Sequence, residues 1–252
     1  MISVRGVARA AIMVAVAVLT VTGQVQAAPG KIVVANDEWT LGNSFAAPND
    51  PGRFACNVAR WFTGGQTGSF LAYSSNYGLT GSDLAAAMTE AGNAWTVSTI
   101  MAFDLATLQN YDGVFVGGYR ADATVLAAYV NAGGNVYLMA GAGWLGDEPS
   151  NGPVEAAAWN PFLNQFGLGL SNYYNAISGN IPISSPHPIF DGVDSLYQSW
   201  GQSIFDLALE DPANQILVTS DGYGLYAAYA IPEPATLSLL ALGGLVALRR
   251  RR

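Results

Sequence analysis

Apolar residues along this chain fall into short clusters separated by glycine, asparagine, aspartate and proline, and the clusters alternate between two kinds. The first kind is a compact run rich in β-branched and aromatic residues: Lys31 to Ala35, Ser69 to Tyr73, Ala94 to Ile100, Gly113 to Gly117 and Asn135 to Ala140. Runs of this length bounded by turn residues read as buried strands. The second kind carries helix start and stop signals. Asn49, Asp50 and Pro51 precede Arg53 to Thr63, which Gly64 closes; Asp83 to Ala91 is closed by Gly92, and Ala123 to Asn131 by Gly133-Gly134. Pro153 to Phe166 offers a further helix. Strand and helix in repeated alternation predict an α/β fold with a mostly parallel sheet and helices on both faces. Tyr173 to Ile177, Ile216 to Thr219 and Leu225 to Ala230 read as strands whose pairing stays open, and the chain shows no internal repeat.

The two ends follow a different pattern. Arg5 and Arg9 precede an apolar run from Ala10 to Leu19, and Val25-Gln26-Ala27 then supplies the small residues a signal peptidase reads, which predicts cleavage after Ala27. The run is shorter than the roughly 20 residues a membrane-crossing helix needs. At the other end Ile231-Pro232-Glu233-Pro234 leads into an apolar stretch, Ala235 to Leu248, and then Arg249, Arg250, Arg251 and Arg252. Arginines after a short apolar stretch stay on the cytoplasmic side and leave the preceding domain outside. This ending resembles the PEP-CTERM sorting signal, which exosortase recognises and processes. The resemblance implies a Gram-negative envelope, transient membrane residence through the tail, and delivery to the outer surface or an exopolysaccharide-rich matrix. A simple tail anchor is the rival reading, so removal or retention of the tail stays open. The expected organisation is therefore a signal peptide over 1–27, one α/β domain over 28–230 and a sorting signal over 231–252.

Composition narrows the domain's function. Of 252 residues 51% are hydrophobic, 29 are glycine and only 11% are charged, which suits a buried sheet with tight turns and excludes a disordered, charge-rich chain. The formal charge is −8, and outside the terminal signals only Lys31, Arg53, Arg60 and Arg120 are basic. A surface with so few cations argues against nucleic acid as a partner. Cys56 is the only cysteine, so neither an intramolecular disulfide nor a cysteine-based zinc site can form, and it reads as a small buried residue.

A second resemblance rests on Tyr111 to Gly117, Leu126 to Val136 and His187-Pro188-Ile189-Phe190-Asp191-Gly192-Val193. The first two segments are similar to the middle of a class I glutamine amidotransferase-like domain, and the third to a segment of its trehalose-utilisation branch. What this implies is a flavodoxin-like, doubly wound fold. In enzymes of that superfamily a cysteine nucleophile occupies the sharp turn after the strand matching Val136 to Ala140; here the turn reads Gly141-Ala142-Gly143-Trp144, which offers no nucleophile. His187, the single histidine, lies between two prolines and reads as a loop residue. Gly64 to Gly68 lacks the lysine and hydroxyl of a phosphate loop and reads as a connector.

Ligands of open α/β sheets bind beyond the carboxyl ends of the strands. Asp37, Glu38 and Trp39 follow the first strand, and Trp144, Asp147 and Glu148 follow the strand before the turn, so both loops are expected at that edge. Carboxylates there could hold calcium, although no cofactor is required, or act as acid and base on a glycosidic bond. Indole rings beside them could stack on sugar. The sequence thus predicts a non-catalytic, envelope-displayed domain that binds a glycan, an exopolysaccharide or an envelope protein. A polysaccharide hydrolase using paired carboxylates and a purely structural matrix protein are the alternatives.

Overall fold

The computed structural model describes residues 28–43 and 48–232. The leader, Glu233, Pro234, the C-terminal apolar stretch and Arg249 to Arg252 lie outside the described residues, so their expected roles have no structural counterpart below. Among the described residues no helix is long and apolar enough to cross a membrane.

The alternation read from the sequence is present. Strands β1 (Ile32–Ala35), β2 (Ser69–Tyr73), β3 (Ala94–Val97), β4 (Gly113–Val116) and β5 (Asn135–Met139) are joined through helices α1 (Pro51–Phe62), α2 (Tyr77–Thr80), α3 (Ser82–Glu90), α4 (Leu105–Leu108) and α5 (Ala123–Asn131). The strands form a parallel block in the order β3-β2-β4-β5-β1. Helix starts are set by side-chain caps: Asp50 accepts from the Arg53 N–H with Pro51 in the first turn, and Asp122 accepts from Thr124 and Val125. Each such cap satisfies an otherwise orphaned donor and contributes about 1 kcal/mol.

Strand alternation sorts the core into two layers. Val33, Ala35, Phe70, Ala72, Phe115, Tyr137 and Met139 face Phe54, Val58 and Phe62 of α1 with Leu84 and Met88 of α3. Their sequence neighbours Ile32, Val34, Leu71, Val114, Val116, Val136 and Leu138 face Leu126 and Val130 of α5 with Trp159 and Phe162 of a later helix, α6 (Gly152–Leu163). Helices therefore cover both faces, as apolar runs without polar alternation require.

The strands whose pairing stayed open extend this sheet in the antiparallel sense. After the short hairpin β6 (Trp144–Leu145) and β7 (Glu148–Pro149) come β8 (Leu168–Tyr174), β9 (Ser178–Pro182), β10 (Ser195–Ser199), β11 (Gln202–Asp206), β12 (Asn214–Ser220) and β13 (Tyr223–Tyr229). β13 lies antiparallel to β1, pairing Ile32 with Tyr229 and Ala35 with Tyr226; β12 and β11 pair with β13, and β8 with β11. Among the described residues these strands bring the main sheet to nine, while β9 and β10 form a separate ribbon.

Several boundaries shift for identifiable reasons. The third strand stops at Val97, not Ile100, because the Ser98 N–H makes the last bond to Ala72 and the chain then turns, leaving Ile100 96% exposed. The strand expected over Tyr173 to Ile177 lies earlier, since the Asn175 side chain accepts from the Ile177 N–H and curls the backbone away from the ladder. The sixth helix ends at Leu163, and Asn164–Phe166 forms a 3-10 turn before Gly167 at φ 70.

Candidate functional site

The carboxyl edge of the parallel block is built from the segments that follow β1, β2, β4 and β5. The turn between β10 and β11 joins them: the Gln202 N–H donates to the Asn36 carbonyl, and a Cβ on Gly141 would lie 2.9 Å from Gly201 Cα. Asp37 leaves β1 into this edge fully buried. Its carboxylate caps the 3-10 turn Glu38–Leu41 by accepting from the Trp39 N–H, and it also accepts from the backbone N–H groups of Ser199 and Gly201. Burial pushes Asp37 up to about 6 in spite of these donors. Glu38, partly buried beside it, accepts from Asn76 Nδ2 at 2.6 Å and from the Tyr77 hydroxyl. Desolvation raises it to about 7, and Asp37 and Glu155 add repulsion.

Glu155 was not singled out in the sequence, yet it is the carboxylate coupled to Asp37 and Glu38. It sits fully buried in the first turn of α6, which the Asn151 side chain caps through the Val154 N–H. Its carboxylate accepts four hydrogen bonds: from the N–H groups of Ala142 (3.1 Å) and Gly143 (2.8 Å), the Ser150 hydroxyl (2.7 Å) and the Tyr174 hydroxyl (2.7 Å). Gly141 and Gly143 hold the intervening turn at φ 65 and 66, where a side chain is strained. At Gly141 a Cβ would also come within 2.7 Å of the Asn36 carbonyl oxygen. The chain therefore turns sharply after β5, and the inward N–H groups of the turn are taken by an internal carboxylate. One signal did mark Glu155, as the single charged residue of an otherwise apolar and amide helix.

Of the residues expected here, Asp37, Glu38 and Trp39 come together with Asn76 and Tyr77. Trp39 packs edge-on against Tyr77 at 5.2 Å and Tyr197 at 6.2 Å between ring centres. Trp144, Asp147 and Glu148 lie on the β6–β7 hairpin, which the Gly146 N–H ties to the Gly118 carbonyl. Asp147 and Glu148 are exposed, and Trp144 is 51% exposed. Trp200, also unmarked by the sequence, is 58% exposed and held at φ 66. That left-handed geometry costs a bulky residue about 1–3 kcal/mol. Among the described residues, both amide atoms of buried Asn36 lack a hydrogen-bond partner, a further cost of about 1–3 kcal/mol at this edge.

Other groups weighed from the sequence make contacts within the fold. His187 Nδ1 accepts from the Ile189 N–H, starting a 3-10 turn, and the Cys56 thiol donates to the Ala87 carbonyl while burial raises its pKa. Gly64 and Gly65 connect α1 to β2 with positive φ. Among the described residues no group of three or more histidine, cysteine, aspartate or glutamate side chains is placed to hold a metal ion.

Comparison with known proteins bears on the terminus alone. Residues 230–252 match the PEP-CTERM protein-sorting motif. No curated protein and no solved structure matches the chain. The motif indicates an exported envelope protein processed by exosortase.

Proposed function

We propose that the chain displays a non-catalytic, amidotransferase-like domain at the outer surface of a Gram-negative envelope, where its carboxyl edge stacks on the sugar rings of a glycan. The observation that carries the reading is Trp200, a half-exposed indole kept in a strained left-handed conformation beside the buried carboxylates. Strain of this kind persists where the surrounding structure over-determines it, and it clusters at functional sites. Trp144 offers a second exposed ring at the same edge, and the partly exposed Glu38 and Tyr77 can pair with hydroxyl groups.

The order β3-β2-β4-β5 is that of the first four strands of a flavodoxin-like sheet, with β1 in the fifth place, which supports the amidotransferase-like reading while departing from its simplest form. Absence of catalysis is supported by the turn after β5, where no nucleophile is present and Glu155 fills the N–H cradle that would otherwise steady a developing oxyanion. This reading needs no cofactor.

One observation favours a second reading. Glu38, raised to about 7, is protonated over much of the neutral range, as a general acid in glycoside hydrolysis would be. Calorimetric titration of the purified full chain with neutral oligosaccharides, followed by reducing-end assay of the same mixtures, separates the two. Binding without new reducing ends, lost in Trp200→Ala, supports the display reading. Turnover that disappears in Glu38→Gln replaces it with the hydrolase, and silence in both assays leaves a structural matrix protein.

A further inference from the structure

Among the described residues the main sheet ends in β3 on one side and β8 on the other, with β12 branching from β13, and these edges are finished differently. The outer side of β8 is taken: Asn160 of α6 accepts from the Leu170 N–H at 2.8 Å and donates to the Leu170 carbonyl at 3.0 Å. The ladder of β12 is made irregular by register shifts on both sides of Val218. A covering helix and a bulge are two of the devices that keep a sheet edge from pairing with another chain.

The β3 edge has neither. It pairs in unbroken register with β2 alone, and the Ala94 and Ser98 N–H groups donate to the Gly68 and Ala72 carbonyls. Backbone groups alternate in direction along a strand, so Trp95 and Val97 turn their N–H and carbonyl groups outward, where nothing among the described residues pairs with them. Trp95 packs on the core layer that α1 and α3 cover, and Val97, two residues on, shares that face with 43% of its surface exposed. Lysine and proline, the other usual guards of an edge, are also missing: the segment from Ala91 to Phe103 holds no charged residue and no proline, in a chain of net charge −8.

We propose that β3 pairs antiparallel with β3 of a second copy of this chain, joining the two main sheets across a twofold axis at Thr96. With that centre, Trp95 of each copy lies opposite Val97 of the other, and each of these pairs exchanges both of its outward backbone bonds. The same register sets an indole against a β-branched side chain twice on one face, a cross-strand pairing that stabilises sheets. An edge complementary to itself about a twofold axis gives a closed dimer, and the covered β8 edge gives the joined sheet no means of extending from its far end. The uncharged edge is also where two copies of a strongly acidic domain approach with least repulsion. Because the paired strands run in opposite directions, the two carboxyl edges point to opposite ends of the dimer. The pairing does not depend on the glycan reading; on that reading, one dimer joins two glycan chains.

The test is sedimentation velocity of the purified full chain in mild detergent over a range of protein concentrations. The expected result is a monomer–dimer equilibrium that strengthens as salt rises from about 0.01 M to about 0.1 M, since the screening length falls from ~30 Å to ~10 Å. Val97→Pro removes an outward N–H without touching the bonds to β2 and should weaken the dimer about tenfold or more. Val97→Lys places a guard at the exposed position and should also weaken it, whereas Asn172→Lys, exposed on β8, should not. Thermal unfolding should show the two lysine variants folded, so they decide the matter if the proline variant is not. Register is read separately. Facing Thr96 residues form a non-hydrogen-bonded pair with Cα atoms ~4.5 Å apart, within disulfide reach. Thr96→Cys in a Cys56→Ala background, oxidised by copper phenanthroline, should lose two protons and two electrons to the oxidant and run as a covalent dimer. Asn172→Cys in the same background should stay monomeric on the gel. The proposal is overturned by a chain that stays monomeric, by a dimer that Val97→Lys leaves intact, by growth beyond the dimer, or by failure of Thr96→Cys to cross-link.

Discussion

Replacing Glu155 by glutamine perturbs the most heavily bonded side chain of the carboxyl edge at nearly constant volume. The carboxylate oxygen facing Gly143, Ser150 and Tyr174 accepts three hydrogen bonds, and the other accepts the Ala142 N–H. A glutamine can keep its carbonyl toward the three, which then forces its NH2 against the Ala142 N–H. One charge-assisted bond is lost, a buried donor is left facing another, and the remaining three bonds weaken with loss of the charge. Bonds to charged groups contribute roughly 1.5–3 kcal/mol each and a stranded buried donor costs about 1–3 kcal/mol, so a loss of about 3 kcal/mol is expected. For a domain of this size that is a fall in Tm of about 6–12 °C. Urea unfolding followed by tryptophan fluorescence gives the free energy directly, through the midpoint at constant slope. The same variant removes a repulsive charge from Asp37 and Glu38, so the titration of Glu38, followed by carboxyl carbon NMR, should move down from about 7. A change in stability under about 0.5 kcal/mol, or an unmoved Glu38, would refute the cradle as the structural centre of this edge.

Stability should also depend on pH in a definite sense. Asp37 and Glu38 have folded pKa values raised to about 6 and about 7 from the ordinary 3.8 and 4.5, so their contribution is fully present below about pH 4 and is lost as pH rises through 6 to 7. The loss from Asp37 alone reaches about 3 kcal/mol at most; chemical denaturation across pH 4 to 8 should show the decline, and Glu38→Gln should remove its upper part. Trp200→Gly should leave stability unchanged or raise it by up to about 1 kcal/mol, because glycine relieves the strain at φ 66 and little burial is lost, while glycan affinity in the calorimeter falls. Gly201→Ala should destabilise by more than about 2 kcal/mol in a thermal melt, since its Cβ would meet the Asn36 carbonyl oxygen at 2.2 Å, a backbone atom with nowhere to move.

Much of the parallel half of the fold was legible because local signals and burial agree there. Ser69–Tyr73 and Ala123–Asn131 appear with the boundaries their turn residues and caps announce. The polar strands were harder to read: β9 and β10 carry serine, asparagine and glutamine and pair with each other outside the main sheet, so no apolar run announces them. β11 hides for a related reason, since the buried Gln202 and Ser203 bond to the backbone or side chains of Ser171 and Gly152 and read locally as loop. At the candidate site Asp37, Glu38 and Trp39 could be found because a single loop leaves a predicted strand. Trp200 could not, because its place at this edge comes from the antiparallel strands after β8.

The sequence by itself determined the α/β alternation, the segments that form the parallel strands, the absence of a nucleophile at the turn after β5 and the sorting signal over 231–252, which the match over 230–252 supports, since each depends on residues close together in the chain. Only the tertiary structure decided that Glu155 and not Asp147 or Glu148 joins Asp37 and Glu38, and that Trp200 stands beside them. Those neighbours are set by strand order and by the antiparallel return of β13 along β1, contacts between residues tens to nearly two hundred positions apart for which no local propensity carries information.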